Sequence, residues 1–316
     1  MQPLLLSEIK NLTGAELYGD PLYKITEVRT IHDIFPGNDN SGCVTWVNDK
    51  NSGHLNSALQ PGLLILSPQA YSNLKNYAHN FLVTPQPRKA FFKIIEHSFF
   101  KDMETGIAST AIVSPKAKVG ESCYIGHNVV IEEGVSIGNF CRILHNTVIL
   151  RNTQIGNYVS IGCNCTIGNE GFGYEKDELG IYKQLPHAGN VTIGDHVNIH
   201  NNSCIDRAVI GSTIIGEDVK IDNLVHIAHN VRIGRNSLII ANTMVGGSTD
   251  IGENCWISPS VSLNNGLKIA NDDLIGTGAV VVKNTEAGKT YAGNPASDID
   301  EVKKWSSIRK RLLGEG

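Results

Sequence analysis

Two histidines in one short run are the residues of this 316-residue chain best placed to do chemistry. The run reads Asp222-Asn223-Leu224-Val225-His226-Ile227-Ala228-His229-Asn230. An imidazole can take or give a proton near neutral pH, which few other side chains do unaided. A neutral His229 projecting into a cleft could take a proton from an attacking amine or hydroxyl, a gain of roughly 10²–10⁴-fold. Bonded to a backbone carbonyl instead, the same ring would only brace a corner. Spacing alone leaves both readings open. Zinc is a third reading, with His196, His200, His226 and His229 as imidazole donors. Yet His-x-x-His and His-x-x-x-His gather ligands on one face only in a helix, and no carboxylate and histidine set completes the site. No metal is expected.

The element that must position these residues is a six-residue repeat. From Val113 to Ile167 an aliphatic returns at every sixth position, through Val119, Ile125, Ile131, Ile137, Ile143, Ile149, Ile155 and Ile161. It returns again at Ile193, Ile199 and Ile205, and from Ile215 through Ile227 and Ile239 to Val281. Neither a helix nor a long strand sustains that period. A short strand turning a corner every six residues does, three strands making one coil of a parallel β-helix. Glycines follow many inward residues (Gly126, Gly138, Gly156, Gly234), as tight corners require. At roughly 4.8 Å of strand spacing per coil, about eight coils make a prism about 40 Å long. The phase places Ile227 inward, His226 on the outer face and His229 at the following corner.

Composition narrows the setting. A net charge of −4, with acids and bases mixed and no basic block, gives no footprint for nucleic acid. The seven cysteines are odd in number and mostly lie inside the repeat, where they act as small apolar fillers in a reducing compartment. The opening residues have no basic leader, and no apolar run approaches the ~20 residues that cross a bilayer. The reading is a cytoplasmic protein without a transmembrane segment.

The chain reads as three regions. Residues 1–106 lack the repeat and read as a small α/β domain, with a helix near Leu4–Leu12, strands at Ile25–Ile31, Cys43–Val47 and Gly62–Leu66, and a helix opened by Pro87. Residues 107–283 are the prism, broken by an insertion at 168–190 that carries Phe172, Tyr174, Tyr182 and His187, and by a shorter slip at 206–213. Loops ejected from a solenoid usually lie on its working face. Residues 284–316 hold one helix, which Ser297 and Asp300 are expected to cap. Outward apolar residues recur along the prism (Val130, Val148, Leu150, Val209, Leu238, Ile240, Val280), which predicts burial against neighbouring subunits. Such prisms usually pack as trimers with clefts between them.

Gly171-Phe172-Gly173-Tyr174, then Pro186 to Asp195, Cys204-Ile205-Asp206-Arg207, Thr213 to Gly216, and Ile221 to Asn230 stand in an order and spacing that resemble the UDP-3-O-(3-hydroxyacyl)glucosamine N-acyltransferases of lipid A synthesis. Ala15 to Asp20 and Thr45 to Asn48 are similar to that family's uridine-binding domain, so the resemblance runs along nearly the whole chain. It implies a left-handed prism in a homotrimer, with active sites between subunits. It implies acyl transfer from a phosphopantetheine thioester, on acyl carrier protein or coenzyme A, to the amine of a nucleotide-linked sugar, with no bound cofactor. By position, His229 is the general base and Gly247 offers its backbone N–H to the oxyanion. Trp46 resembles the family's uracil-stacking aromatic and Asn48 its hydrogen-bonding amide, while Phe172, Tyr174, Asn223 and His226 are expected to line the substrate.

The chain departs from that pattern in places. Asn264-Asn265-Gly266 stands where the family usually has a second histidine, and Asn51 where a second aromatic closes over the uracil. Ala292 to Ala296 looks like the ending of coenzyme A-dependent sugar acetyltransferases. A short-chain acyl-CoA enzyme acting on a UDP- or dTDP-amino sugar of surface polysaccharide is therefore the alternative. A zinc-dependent lyase and a non-catalytic scaffold stand further off.

Overall fold

The computed structural model describes residues 3–34, 38–50, 61–74, 80–99 and 105–313, and Asn51 lies outside them. The chain divides into two compact units, Met1–Met103 and Glu104–Gly316.

The first unit is a five-stranded sheet with helices on both sides. Cys43–Trp46, Leu63–Leu66 and Phe81–Val83 run parallel, with Glu27–Val28 parallel at one edge and Glu16–Tyr18 antiparallel at the other. Leu63, Leu64, Ile65 and Leu66 are all buried, as a central strand covered on both faces must be. Leu63 and Ile65 pack with helices α1 (Leu6–Thr13) and α3 (Pro87–Phe99), through Leu6, Ile9, Phe91 and Ile94. Leu64 and Leu66 turn the other way, toward Ala70 and Leu74 of α2 (Pro68–Leu74).

The second unit is the prism. Most of its strands are two residues long, one outward and one inward, as in Tyr124–Ile125, Val130–Ile131 and Ser136–Ile137. Each pairs in parallel with the strand one coil later, so that Val130 meets Val148 and Ile131 meets Ile149. Three sheets result, of eight, nine and eleven strands. The inward residues of all three form one continuous core of Ile, Val, Leu and Cys. Corners are made by residues in the left-handed conformation, and one corner column reads Asn128, Asn146, Asn164, Asn202, Leu224, Asn242, Ser260 and Gly278. Asn adopts that conformation at little cost.

The three outer faces differ in chemistry. The eight-stranded sheet shows Lys118, Ser136, Gln154, Thr192, Ile214, Arg232, Asp250 and Lys268. The nine-stranded sheet shows Ile112, Val130, Val148, Thr166, Cys204, His226, Met244, Ser262 and Val280. This second face is largely apolar, and it carries His226.

Both breaks in the repeat have definite shapes. After Thr166–Asn169 the insertion forms an antiparallel hairpin, Tyr174–Lys176 against Tyr182–Gln184, before the prism resumes at Asn190–Ile193. The slip loops out between Cys204–Asp206 and Ser212–Ile215. Beyond residue 283, where the repeat fades in the sequence, the structure adds one more rung: Thr290–Gly293 pairs in parallel with Leu274–Ile275. That strand folds back antiparallel on Ala296–Asp298. Ser297 is thus a strand residue pairing with Ala292, and it does not cap the helix. Asp298 takes the capping task for α4 (Ile299–Leu313), its carboxylate accepting the Asp300 N–H at 2.9 Å. No helix among the described residues is long and apolar enough to cross a membrane.

Candidate active site

His226 and Ile227 form one of the two-residue strands, and the fully buried Ile227 fixes the phase of the residues after it. His229 therefore falls at the next corner, half-buried. Asn230 Oδ1 lies 3.3 Å from its Nδ1. That amide is itself held: its Oδ1 accepts the Val209 N–H at 2.9 Å and its Nδ2 donates to the Ile210 carbonyl at 2.9 Å. An anchored acceptor beside Nδ1 favours the tautomer with its proton there, leaving a lone pair on Nε2. Nε2 faces Gly247, one coil further on. A Cβ built on Gly247 would stand 2.8 Å from both Nε2 and Cε1, so only glycine leaves the ring its place. The Gly247 N–H donates to no partner among the described residues, whereas its carbonyl accepts from Gly266.

The ring is closed in from the insertion as well. A Cβ on Gly171 would lie 3.0 Å from His229 Cβ and Cδ2 and from His187 Nε2. His187 is 2 % exposed and sits edge-on to His229, with ring centroids 5.5 Å apart. Its Nδ1 lies 2.8 Å from the Leu185 carbonyl, and its buried Nε2 has no partner among the described residues. Both breaks in the repeat thus meet at one imidazole: the insertion supplies Gly171 and His187, the slip supplies the anchor for Asn230. In the sequence His187 stands out only as part of the insertion. The signal that marks it is that two interruptions flank the same coil.

Comparison with known proteins bears on this arrangement. A model of the bacterial transferase hexapeptide (six repeats) matches residues 212–247, and one of the GMPPB C-terminal domain matches 107–172. The UDP-3-O-acylglucosamine N-acyltransferase of Coxiella burnetii (strain RSA 493 / Nine Mile phase I) is 37% identical over 253 residues, 74% of this chain and 72% of that protein. The chain belongs to the UDP-3-O-acylglucosamine N-acyltransferase family. UDP-3-O-acylglucosamine N-acyltransferase 1 of Francisella tularensis subsp. holarctica (strain OSU18) is 44% identical over 227 residues, covering 66% of this chain and 65% of its own. Among solved structures, a UDP-N-acetylglucosamine acyltransferase from Bacteroides fragilis 9343 superposes with a TM-score of 0.56 at 26% identity, over 61% of this chain and 73% of that one. Acyl transfer is thus the chemistry of this family.

The other residues singled out in this N-acyltransferase chain fall in several places. His226 Nε2 lies 3.7 Å from the Asp206 carboxylate, one coil away on the same face. Burial lowers the His226 pKa and pushes that of Asp206 up to about 7. Asn223 has its amide committed to the corner: its Oδ1 accepts from Asn201 N and Nδ2, each at 3.1 Å, and its Nδ2 donates to Asp222 at 2.8 Å. Phe172 is 87% exposed at the foot of the hairpin, its ring 4.8 Å from that of Tyr174.

The four histidines weighed as zinc ligands do not converge. His196 stacks on Tyr158 at a different corner, and His200 lies 3.8 Å from Asp222. Among the described residues no three His, Cys, Asp or Glu side chains are grouped to hold a metal ion.

In the first unit, Trp46 and Asn48 share the wall of an open cavity of about 690 Å³ with Ser67, Arg88, Lys89 and Phe92. Trp46 ends the strand Cys43–Trp46 and leans on Phe91, centroids 6.5 Å apart. Trp46 and Phe92 give the cavity aromatic surface, and its charged lining is Arg88, Lys89 and Asp49.

Proposed function

We propose that this chain transfers an acyl group from a phosphopantetheine thioester to the amine of UDP-3-O-acylglucosamine, in the lipid A pathway that the resemblance implies. The observation that carries the reading is His229 with its Nδ1 facing an anchored Asn230 and its Nε2 against the bare Cα of Gly247, whose N–H has no partner among the described residues. In this mechanism the amine nitrogen attacks the thioester carbonyl carbon while Nε2 takes the departing proton. The Gly247 N–H receives the developing oxyanion, a contact worth about 10²–10³-fold. Collapse of the tetrahedral intermediate breaks the C–S bond, and the imidazolium returns its proton to the thiolate.

The reading includes a left-handed coil and a homotrimer, with His229 on a seam between protomers. The largely apolar nine-stranded face supports it, since Ile112 is 67% exposed and Met244 40% exposed in the single chain, on the face that carries His226. The first unit would bind the uridine through Trp46 and Asn48, and the enzyme would work in the cytoplasm.

The deciding experiment incubates the protein with acyl carrier protein and coenzyme A thioesters of graded chain length, against UDP- and dTDP-linked amino sugars, and identifies the product by mass. A 3-hydroxyacyl amide on UDP-3-O-acylglucosamine is expected. Turnover of short acyl-CoA alone, on a different amino sugar, would establish the surface-polysaccharide alternative. Light scattering checks the trimer.

A further inference from the structure

Asp206 is out of keeping with its surroundings. It follows the inward Ile205 at the end of the strand Cys204–Asp206, on the side that ought to meet water, yet it is 6% exposed. Its carboxylate accepts no hydrogen bond from any described residue. Its one ion-pair partner among them is His226, whose Nε2 stands 3.7 Å from Oδ2, beyond hydrogen-bond reach.

The other buried charged groups nearby and at the prism base have their partners. Arg207 turns away, its Nε donating to the Gly168 carbonyl at 2.6 Å and its Nη2 to Arg151 O at 3.2 Å. Asp273, buried at the base of the prism, accepts from the Lys289 N–H at 3.0 Å and from Thr285 Oγ1. Asp206 alone of these is a nearly buried acceptor without a donor among the described residues, open to whatever reaches it from the solvent side.

Its place indicates what that is. Cys204 pairs with His226 and Ile205 with Ile227. The pairing ends there, and Asp206 follows at the strand end with its carboxylate toward His226. The carboxylate thus lies one coil before the strand that leads into the candidate base, on the face that carries His226. A group reacting at His229 Nε2 and carrying spare N–H donors would bring what Asp206 lacks.

We propose that Asp206 is a recognition residue for the acceptor: its carboxylate accepts an N–H of the sugar amine, aims the nitrogen lone pair toward the thioester, and makes the site prefer an amino sugar over the corresponding hydroxyl sugar. This rests on the N-acyl transfer reading and adds a residue to it. Asp206 exchanges no proton in the step; the proton lost from nitrogen goes to His229. Burial raises the Asp206 pKa to about 7, and an amine N–H donated to the carboxylate favours its charged, accepting form.

The test is calorimetric titration of the full-length protein with UDP-glucosamine and with UDP-glucose, which differ in the group at C2. The parent is expected to bind the amino sugar tighter by roughly tenfold or more. Asp206→Asn and Asp206→Ala should bind both sugars alike, at the parent's affinity for UDP-glucose, and Asp206→Glu should restore part of the preference. Thermal melts confirm that each variant is folded. A preference that survives in Asp206→Asn, or a parent with none, overturns the assignment. A parent that binds neither nucleotide sugar overturns the N-acyl transfer reading itself, and the two failures are told apart by that result.

Discussion

Gly247 lies one coil beyond His229, and the space its missing side chain leaves is the space the imidazole occupies: a Cβ there would sit 2.8 Å from Nε2. The glycine needs no special backbone conformation, since its φ lies outside the left-handed range. The demand comes from the neighbouring ring. Gly247→Ala should therefore fold as the parent does and displace the imidazole, lowering kcat/KM by about 10²-fold. His229→Ala should lower kcat by roughly 10²–10⁴-fold with the fold intact. In the double variant the added methyl has no ring to meet. Its cost should then largely vanish, and a thermodynamic cycle of four kcat/KM values measures it. Independent, additive losses would mean that the two residues do not share a site.

Leu224 offers a prediction about stability. Seven of the eight residues in its corner column are Asn, Ser or Gly, while Leu224 holds φ 59° with 59% of its surface exposed. A side chain branched at Cγ gains nothing there from burial and carries the strain of the left-handed conformation. Leu224→Asn should stabilise the protein by about 1 kcal/mol, read as a rise in the midpoint of chemical denaturation. Strain kept beside His226 tends to be kept for use. A fall in kcat/KM alongside the gain in stability would place Leu224 against substrate or a neighbouring protomer.

The prism and the position of His229 are legible in the sequence for one reason. A period of six writes the inward direction directly into the order of residues, so Ile227 alone decides where His229 points. His187 is not legible as a neighbour of that ring, because it reaches it through a break in the repeat, and the length of a break carries no phase. Asp206 is in phase, but its burial at the mouth of the slip is not written in the period. The α4 cap escapes a sequence reading for a related reason: Ser297 has the right type, but a strand pairing with Ala292 claims its backbone, and Asp298 takes the role. Asn223 is the opposite case. Its type and place suggest a ligand contact, and its amide is taken up by the corner ladder.

The cavity beside Trp46 gives a test confined to the first unit. If the indole stacks on a nucleobase, its removal should weaken binding of the nucleotide sugar and leave the chemical step alone. Stacking on one base is worth about 1–3 kcal/mol. Trp46→Ala should accordingly raise KM for the nucleotide sugar by about tenfold or more with kcat changed little, and Trp46→Phe should recover most of the loss. Unchanged KM in Trp46→Ala would remove the cavity from the substrate path.

Asp206 makes the last prediction, and its sign can be worked out. Burial raises the carboxyl pKa from an ordinary 3.8 to about 7 in the folded protein. Between those values the folded state binds more protons than the unfolded state, so this group's contribution falls as pH rises from about 4 to about 7 and stays low above. The neighbouring His226, its pKa lowered by burial, acts in the opposite sense and loses stability as pH falls below its ordinary range. Asp206→Asn keeps the shape and removes the titration. Its melting temperature relative to the parent should therefore climb from pH 5 to pH 8, by a few degrees. A variant both more stable at pH 8 and less able to tell UDP-glucosamine from UDP-glucose would show a carboxylate kept at a cost to the fold because the acceptor needs it. A difference in melting temperature that does not vary with pH would mean that Asp206 is ionised alike in the folded and unfolded chain.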